Sequence, residues 1–189
     1  MPAGFLVVLA ALLLVENDAF RSLEARGARP LVGLLTHHGT SRAVGDVIFF
    51  GLGTRDALGL KITTGCTTVV LLVPFLLIMA AIAAKSPVPA TRVVAAATVG
   101  SAMLVAVNLI RLTGIAWATS IWGLTDGFEI SHFLAGSIFA IVGFAAALVI
   151  SVRLLVGRAD AQGAYQRAGR RHSGRHRGPG RGPLSGPSR

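Results

Sequence analysis

Residues Val93–Ala118 read VVAAATVGSAMLVAVNLIRLTGIAWA, an apolar run that contains one charged side chain, Arg111. The run exceeds the about 20 residues that a helix needs to cross a bilayer core of ~30 Å. A guanidinium at mid-bilayer costs at least about 2.5–3.5 kcal/mol, so an Arg inside a span usually has a function. Asn108 precedes it by three residues and lies on the same helix face. The run therefore predicts a membrane helix with a polar site.

Three further apolar segments accompany this one: Ala3–Val15, about Cys66–Ala84 and about Phe133–Val156. Hydrophobic residues make up 53% of the chain and the mean hydropathy is +0.69, which is typical of membrane proteins. We interpret Ala3–Val15 as a short first span; a signal-peptide core and the remnant of a mis-assigned start codon are the alternatives. The expected fold is an all-α integral membrane protein with about four transmembrane helices, formed by residues 1–156.

The C-terminal tail carries most of the net charge of +10. From Arg153 onward there are nine Arg against one acid, Asp160. The positive-inside rule then predicts a cytoplasmic tail, and its Arg/Gly/Pro-rich composition over residues 157–189 predicts disorder. We expect the lipid bilayer, and no nucleic acid, as the partner of these charges.

Orientation of the other spans follows from the tail. The connector Lys85–Arg92 carries two cations and no acid, which favours the cytoplasmic side. Arg111 lies 19 residues beyond Arg92 in the sequence, or ~28 Å along a helix, near the outer boundary of the membrane. The second and fourth spans begin on that same side, at Cys66 and His132. The sequence thus predicts a multi-pass plasma-membrane protein with both termini in the cytoplasm and these three side chains at one extracytoplasmic level.

The segment Glu16–Gly65 is predicted to be extracytoplasmic. Its N-terminal part favours an interfacial helix that breaks before Pro30. Three apolar side chains support that helix: Phe20, Leu23 and Leu31. Farther on, Val47–Leu52 and Leu58–Ile62 are predicted to pair as a short hairpin or as extended segments.

Cys66 is the only cysteine of the chain, so it cannot form an internal disulfide. At the start of a helix, the dipole and the unpaired N–H groups favour the nucleophilic thiolate. Thr63 and Thr64 are candidate caps for that helix, and Gly65 permits close approach of a substrate backbone. The alternative is a small buried hydrophobic residue, the usual role of a lone cysteine in a membrane protein.

The polar residues of the third and fourth spans suit an acid–base and anion-binding role. Arg111 holds an anion through its fork of donors, whereas the alternative is an Arg that reaches the outer headgroups. His132 lies one turn before Gly136, and its imidazole suits proton transfer near neutral pH; the alternative is an interfacial histidine. We interpret the doublet His37-His38 as loop, and expect no metal ion and no cofactor.

The ordered set Gly65-Cys66, Asn108-Leu109-Ile110-Arg111-Leu112 and His132-Phe133-Leu134-Ala135-Gly136 resembles the exosortase/archaeosortase family. These are polytopic membrane cysteine proteases, or transpeptidases, that process C-terminal sorting signals of exported proteins. The resemblance covers Val47–Val156. It implies Cys66 as nucleophile, with Arg111 and His132 as catalytic partners.

The chain departs from the family's pattern at two points. Cys66-Thr67-Thr68 stands where many members have Cys-Ser-Gly, and the chain has fewer N-terminal spans, which makes it a short member. In the implied reaction, the Cys66 thiolate attacks a peptide carbonyl near the substrate's C-terminal anchor. Arg111, oriented by Asn108, stabilises the oxyanion, and His132 transfers the proton.

Two other classes of protein remain open on the sequence. A small pore-former or scaffold of the holin type, without chemistry, explains the size and the basic tail. A transporter fragment explains an anion-binding Arg111 but makes no use of Cys66. Neither alternative requires three reactive side chains at one membrane level.

Overall fold

The structure is a computed structural model that describes residues 2–36, 40–54, 57–86, 88–124 and 136–156. His132, the doublet His37-His38 and the basic tail lie outside these ranges, so the predictions made for them stay predictions. Within the ranges, the chain forms five helices and three strands: α1 (Pro2–Val15), α2 (Asn17–Leu35), β1 (Thr40–Val44), β2 (Val47–Leu52), β3 (Leu58–Lys61), α3 (Val69–Lys85), α4 (Ala90–Trp122) and α5 (Gly136–Val156).

The long helix α4 packs antiparallel against α5. The Ser151 hydroxyl donates to the carbonyl oxygen of Ala96 at 3.1 Å. Two turns nearer the start of α5, Gly143 faces the side chain of Val107. Continued to the first residue of α5, this register brings Gly136 level with the turn that follows Arg111.

Helix α3 also runs antiparallel to α4, on another side of it. The Phe75 ring lies against Gly100, and the turn before α3 is hydrogen-bonded to Asn108, two turns further along α4. Helix α1 packs mainly against α3. The apolar side chains of these four helices form one core, which includes Leu6, Leu72, Phe75, Leu76, Met79, Leu104 and Leu155.

Gly100 sets the distance between three helices. A methyl group on its Cα would overlap the Phe75 ring of α3 and lie 2.5 Å from Ser151 Oγ of α5. Gly114, also in α4, is an exposed counterpart where a methyl group would meet no described atom within 4 Å. The two glycines form a matched pair on one helix.

Gly100→Ala is expected to lower the free energy of unfolding by about 1–3 kcal/mol, because a core that is already filled must shift to admit the methyl group. Gly114→Ala is expected to raise it by up to about 1 kcal/mol, because Ala favours a helix more than Gly does. Thermal unfolding of both variants in the same detergent measures the difference. Equal midpoints for the two variants would contradict the close packing at Gly100.

A small antiparallel sheet and helix α2 form a second layer over the C-terminal part of α4. The strand order is β1-β2-β3, and β2 pairs with β3 from Val47 opposite Lys61 to Phe50 opposite Leu58. The predicted pairing of Val47–Leu52 with Leu58–Ile62 is therefore confirmed. Strand β1 was not predicted. The chain is mostly helical, which is compatible with the expected all-α class, and it also contains this small sheet.

The sequence predicted that helix α2 breaks before Pro30. In the structure, α2 instead continues to Leu35. Pro30 is exposed, and the buried side chains on either side of it, Ala28 and Val32, belong to the second core together with strands β2 and β3. A proline inside a helix removes one hydrogen bond. Burial on both sides of Pro30 offsets that loss, so tertiary packing overrides the local signal.

The described residues contain fewer candidate membrane spans than the four that the sequence predicted. Two helices, α4 and α5, are long and apolar enough to cross a membrane; they become three if α1 and α2, which meet at a bend of 82°, count as one broken span. Helix α3 is apolar but has 17 residues, because it begins at Val69 and not at Cys66. At 1.5 Å per residue it reaches ~25 Å.

Candidate functional site

Cys66 lies in the turn that precedes α3, not inside the helix. Its N–H donates to the carbonyl oxygen of Thr63 at 2.9 Å, and Thr68 is the N-cap residue of α3. The predictions that Cys66 opens the helix and that Thr63 and Thr64 cap it are therefore wrong. The side chain of Cys66 is 6% exposed, within the second core, beside exposed Thr64 and Gly65.

Asn108 connects the Cys66 turn to α4. Its Nδ2 donates to the carbonyl oxygen of Cys66 at 2.9 Å and to Glu24 Oε1 at 2.9 Å. Both partners are acceptors, so only the donating end of the amide fits between them. The structure thus brings together Cys66 and Asn108, the residue that the sequence predicted to support Arg111 on the same helix face.

Glu24 is the residue that the sequence reasoning missed. It lies on α2, is 4% exposed, and accepts four hydrogen bonds. Its Oε2 accepts from Thr67 Oγ1 at 2.7 Å; its Oε1 accepts from the Thr68 N–H at 2.8 Å, from the Thr68 hydroxyl and from Asn108. Charged acceptors make hydrogen bonds about twice as strong as neutral ones. This carboxylate therefore joins α2, the turn after Cys66 and α4.

A signal for Glu24 was present in the sequence. Phe20, Glu24, Ala28 and Val32 recur every four residues, so they share one face of a helix. A carboxylate within an otherwise apolar stripe is rarely buried unless it is paired. Because the helix was expected to break before Pro30, Val32 was not counted as part of this apolar face.

Arg111 lies one turn beyond Asn108 on α4, and its side chain is only 9% exposed. Two buried atoms of this helix face have no hydrogen-bond partner among the described residues: Arg111 Nε, a donor, and Asn108 Oδ1, an acceptor. Unpaired buried polar atoms cost about 1–3 kcal/mol each, so they need an explanation. The two atoms are a donor and an acceptor one helical turn apart on α4.

The two glycines predicted to support the site have different surroundings. Gly65 is exposed, and a methyl group on it would meet no described atom within 4 Å. Gly136 is buried at the start of α5, in a stripe of small residues that faces α4: Gly143, Ala147 and Ser151. Gly65 is thus exposed beside Cys66, whereas Gly136 is buried.

A cleft of about 230 Å³ lies between strand β3 and the C-terminal end of α4. Its walls include Leu60 and Lys61 of β3, Thr119 of α4, and Thr63 of the turn that leads to Cys66. The cleft therefore runs along the chain segment that precedes Cys66.

The described part of the chain has no cluster of three His, Cys, Asp or Glu side chains with the spacing of a metal site. The polar groups around Cys66 are instead hydrogen-bonded to each other, as described above. Comparison of the chain with protein-family models, with characterised proteins and with solved structures finds no match.

Proposed function

We propose that the protein is an integral membrane cysteine peptidase or transpeptidase, similar to exosortases, that cleaves exported proteins near a C-terminal sorting signal. One observation carries the proposal. The turn that holds Cys66 is bonded to Asn108, one helical turn from Arg111, whose buried Nε has no partner among the described residues. A nucleophile and an anion-binding group thereby lie on neighbouring elements, as covalent catalysis requires.

The shape of α4 supports a site at the membrane surface. Its 33 residues extend ~50 Å, about 20 Å more than the ~30 Å apolar core of a bilayer. Trp117 and Trp122 near its C-terminal end are exposed and in edge-to-face contact, with ring centroids 5.9 Å apart. Exposed tryptophans are enriched at membrane–water interfaces. With the basic tail in the cytoplasm, this end of α4 faces the outside, and the sheet layer that packs on it lies on the same side.

In the proposed reaction, His132 accepts the Cys66 thiol proton, and the thiolate sulfur forms a bond to the substrate's carbonyl carbon. The resulting oxyanion accepts hydrogen bonds from Arg111. When the tetrahedral intermediate collapses, the C–N bond breaks and the leaving amine takes the proton from His132. A second amine, or water, then releases the thioester and regenerates the thiol. His132 lies outside the described residues, so its part in the reaction rests on the sequence resemblance.

The cleft beside β3 supports a peptide as substrate. It ends at Thr63, so an extended chain lying along β3 approaches Cys66 from the side of the exposed residues Thr64 and Gly65. Extended peptides bind commonly at sheet edges, where the backbone supplies the hydrogen bonds.

The test is processing of a co-expressed exported protein that ends in an apolar segment and a basic cluster. With the wild-type enzyme, the substrate is expected to lose its C-terminal segment, and mass spectrometry locates the cleaved bond. A thioester between substrate and Cys66 should accumulate when acceptor amines are depleted. An intact substrate across a panel of such tails, with enzyme inserted and abundant, would favour the non-enzymatic pore or scaffold.

The proposed orientation makes a separate prediction about labelling. In a Cys66→Ala background, Thr64→Cys should react with a membrane-impermeant maleimide on intact cells, because Thr64 is exposed next to the site. Ser173→Cys in the basic tail should react only after the cells are opened. Each protein carries one cysteine, so the label reports one position. The reverse pattern would place the site on the cytoplasmic side.

A further inference from the structure

We infer that Glu24 is a positioning residue for the nucleophile: its buried carboxylate caps α3 from a different helix and thereby fixes the turn that carries Cys66. The inference rests on the proposed function for its catalytic meaning. The geometry that supports it concerns only Glu24, Asn108 and the residues after Cys66.

Glu24 does for α3 what a glutamate in a capping box does for its own helix. In a capping box, a glutamate of the first turn accepts a hydrogen bond from the backbone N–H of the N-cap residue. Here that residue is Thr68, and its N–H donates to Glu24, which lies 44 residues earlier in the chain. The Thr68 hydroxyl donates to the same carboxylate. A negative charge at the N-terminus of a helix is also favoured by the helix dipole.

The carboxylate holds the backbone that follows Cys66, both directly and through Asn108. The two residues after Cys66, Thr67 and Thr68, both donate to it. Before them, the carbonyl oxygen of Cys66 accepts from Asn108, whose same Nδ2 donates to Glu24. The backbone after the thiol is thus tied to one acceptor, and the Cys66 N–H before it donates to the carbonyl oxygen of Thr63. Displacement of a reacting group by about 1 Å can cost about 10²-fold in rate, so this anchoring matters for turnover.

Removal of the Glu24 carboxylate and its conservative replacement should leave different numbers of these hydrogen bonds. Glu24→Ala leaves four donors without their acceptor in a buried place. Glu24→Gln keeps an oxygen at the position of Oε1, which takes three of the four bonds. Its amide group replaces Oε2 opposite Thr67, whose hydroxyl can rotate to accept.

The first measurement is the rate at which iodoacetamide alkylates Cys66 in the purified full-length protein. The reaction is specific because the chain has one cysteine. Glu24→Ala is expected to speed alkylation at least about tenfold, equivalent to about 1.4 kcal/mol of local opening. Glu24→Gln should stay within about threefold of wild type. Glu16→Ala removes an exposed glutamate at the bend before α2 and should change nothing.

The second measurement separates positioning from folding. For Glu24→Ala, kcat per folded molecule should fall about 10²-fold with KM unchanged, and Glu24→Gln should restore most of it. If Glu24→Ala fails to fold, Thr67→Val should show the same pattern more weakly. It removes the bond to Oε2 and the longer bond, of 3.3 Å, that the Thr67 hydroxyl accepts from the Val69 N–H. Its matched control is Thr113→Val, which loses a bond from a buried threonine to its own helix, at Leu109, and does not line the cleft beside β3.

The outcomes are distinct. Unchanged alkylation and unchanged kcat in folded Glu24→Ala protein would overturn the inference, as would losses that only follow the amount of folded protein. Faster alkylation in Glu24→Ala, with no substrate processing even by the wild type, would instead remove the proposed peptidase function. In that case the anchoring of Cys66 by Glu24 still stands.

Discussion

Replacing Cys66 with Ala is expected to abolish processing of the substrate, a loss of about 10⁴–10⁶-fold in kcat, because no covalent route remains without the sulfur. The fold should survive the change. The hydrogen bond from Asn108 goes to the backbone carbonyl of residue 66, which alanine retains, and the Glu24 bonds involve the two residues that follow. Insertion and abundance should therefore match the wild type.

Cys66→Ser is the matched comparison. Serine has nearly the shape of cysteine but a far weaker nucleophile at neutral pH, so its processing should also fall to background. Immunoblotting of the co-expressed substrate, normalised to inserted enzyme, measures both variants. Processing by Cys66→Ala above one hundredth of the wild-type rate would show that the chemistry does not pass through this thiol, since about 10²-fold is far less than loss of a nucleophile costs.

The relative directions of the membrane helices could be predicted from charge. The basic tail and the connector Lys85–Arg92 set alternating directions for the helices, and the antiparallel packing of α3, α4 and α5 agrees with them. Counting along α4 predicted Arg111 at the level of Cys66. In the structure the Cys66 turn is hydrogen-bonded to Asn108, one helical turn before Arg111. Charge asymmetry and helical rise sufficed because neither depends on side-chain detail.

The start of α3 could not be predicted in the same way. Residues 66–68 are apolar or neutral and follow a turn signal, so the helix was expected to begin at Cys66. Hydrogen bonds from Thr67 and Thr68 to Glu24 determine the actual start, and Glu24 is more than 40 residues away in the chain. Helix ends that depend on a distant acceptor carry no local signal. The same holds for β1, whose pairing with β2 is needed to define it.

The two layers of the structure have separate cores. The helices α1, α3, α4 and α5 share an apolar core, whereas α2 and the sheet share a second core that includes Cys66, Leu112 and Ile115. The polar network of Glu24, Asn108 and the two threonines lies beside the second core. Buried polar networks define one arrangement when all members are satisfied. Two atoms beside the Glu24 carboxylate have no partner among the described residues, Asn108 Oδ1 and the neighbouring Arg111 Nε.

Arg111→Lys is expected to lower processing about 10²–10³-fold, the effect of losing one well-placed oxyanion donor, or ~2.7–4 kcal/mol. If Arg111 only reached toward headgroups, lysine would serve nearly as well, because both side chains have long apolar stems. The side chain is instead 9% exposed, on the helix face that carries Asn108. A planar fork of donors at fixed angles is what lysine cannot reproduce.

The control for Arg111→Lys is Arg153→Lys, in the last turn of α5, where the side chain is exposed. That variant should process substrate at the wild-type rate, because an exposed cation near the basic tail needs only its charge. Both variants keep the net charge of the chain, so insertion and orientation should not change. The measured quantity is the rate of substrate cleavage per inserted enzyme. Near-wild-type cleavage by Arg111→Lys would make Arg111 a membrane anchor and leave oxyanion stabilisation to backbone N–H groups of the Cys66 turn.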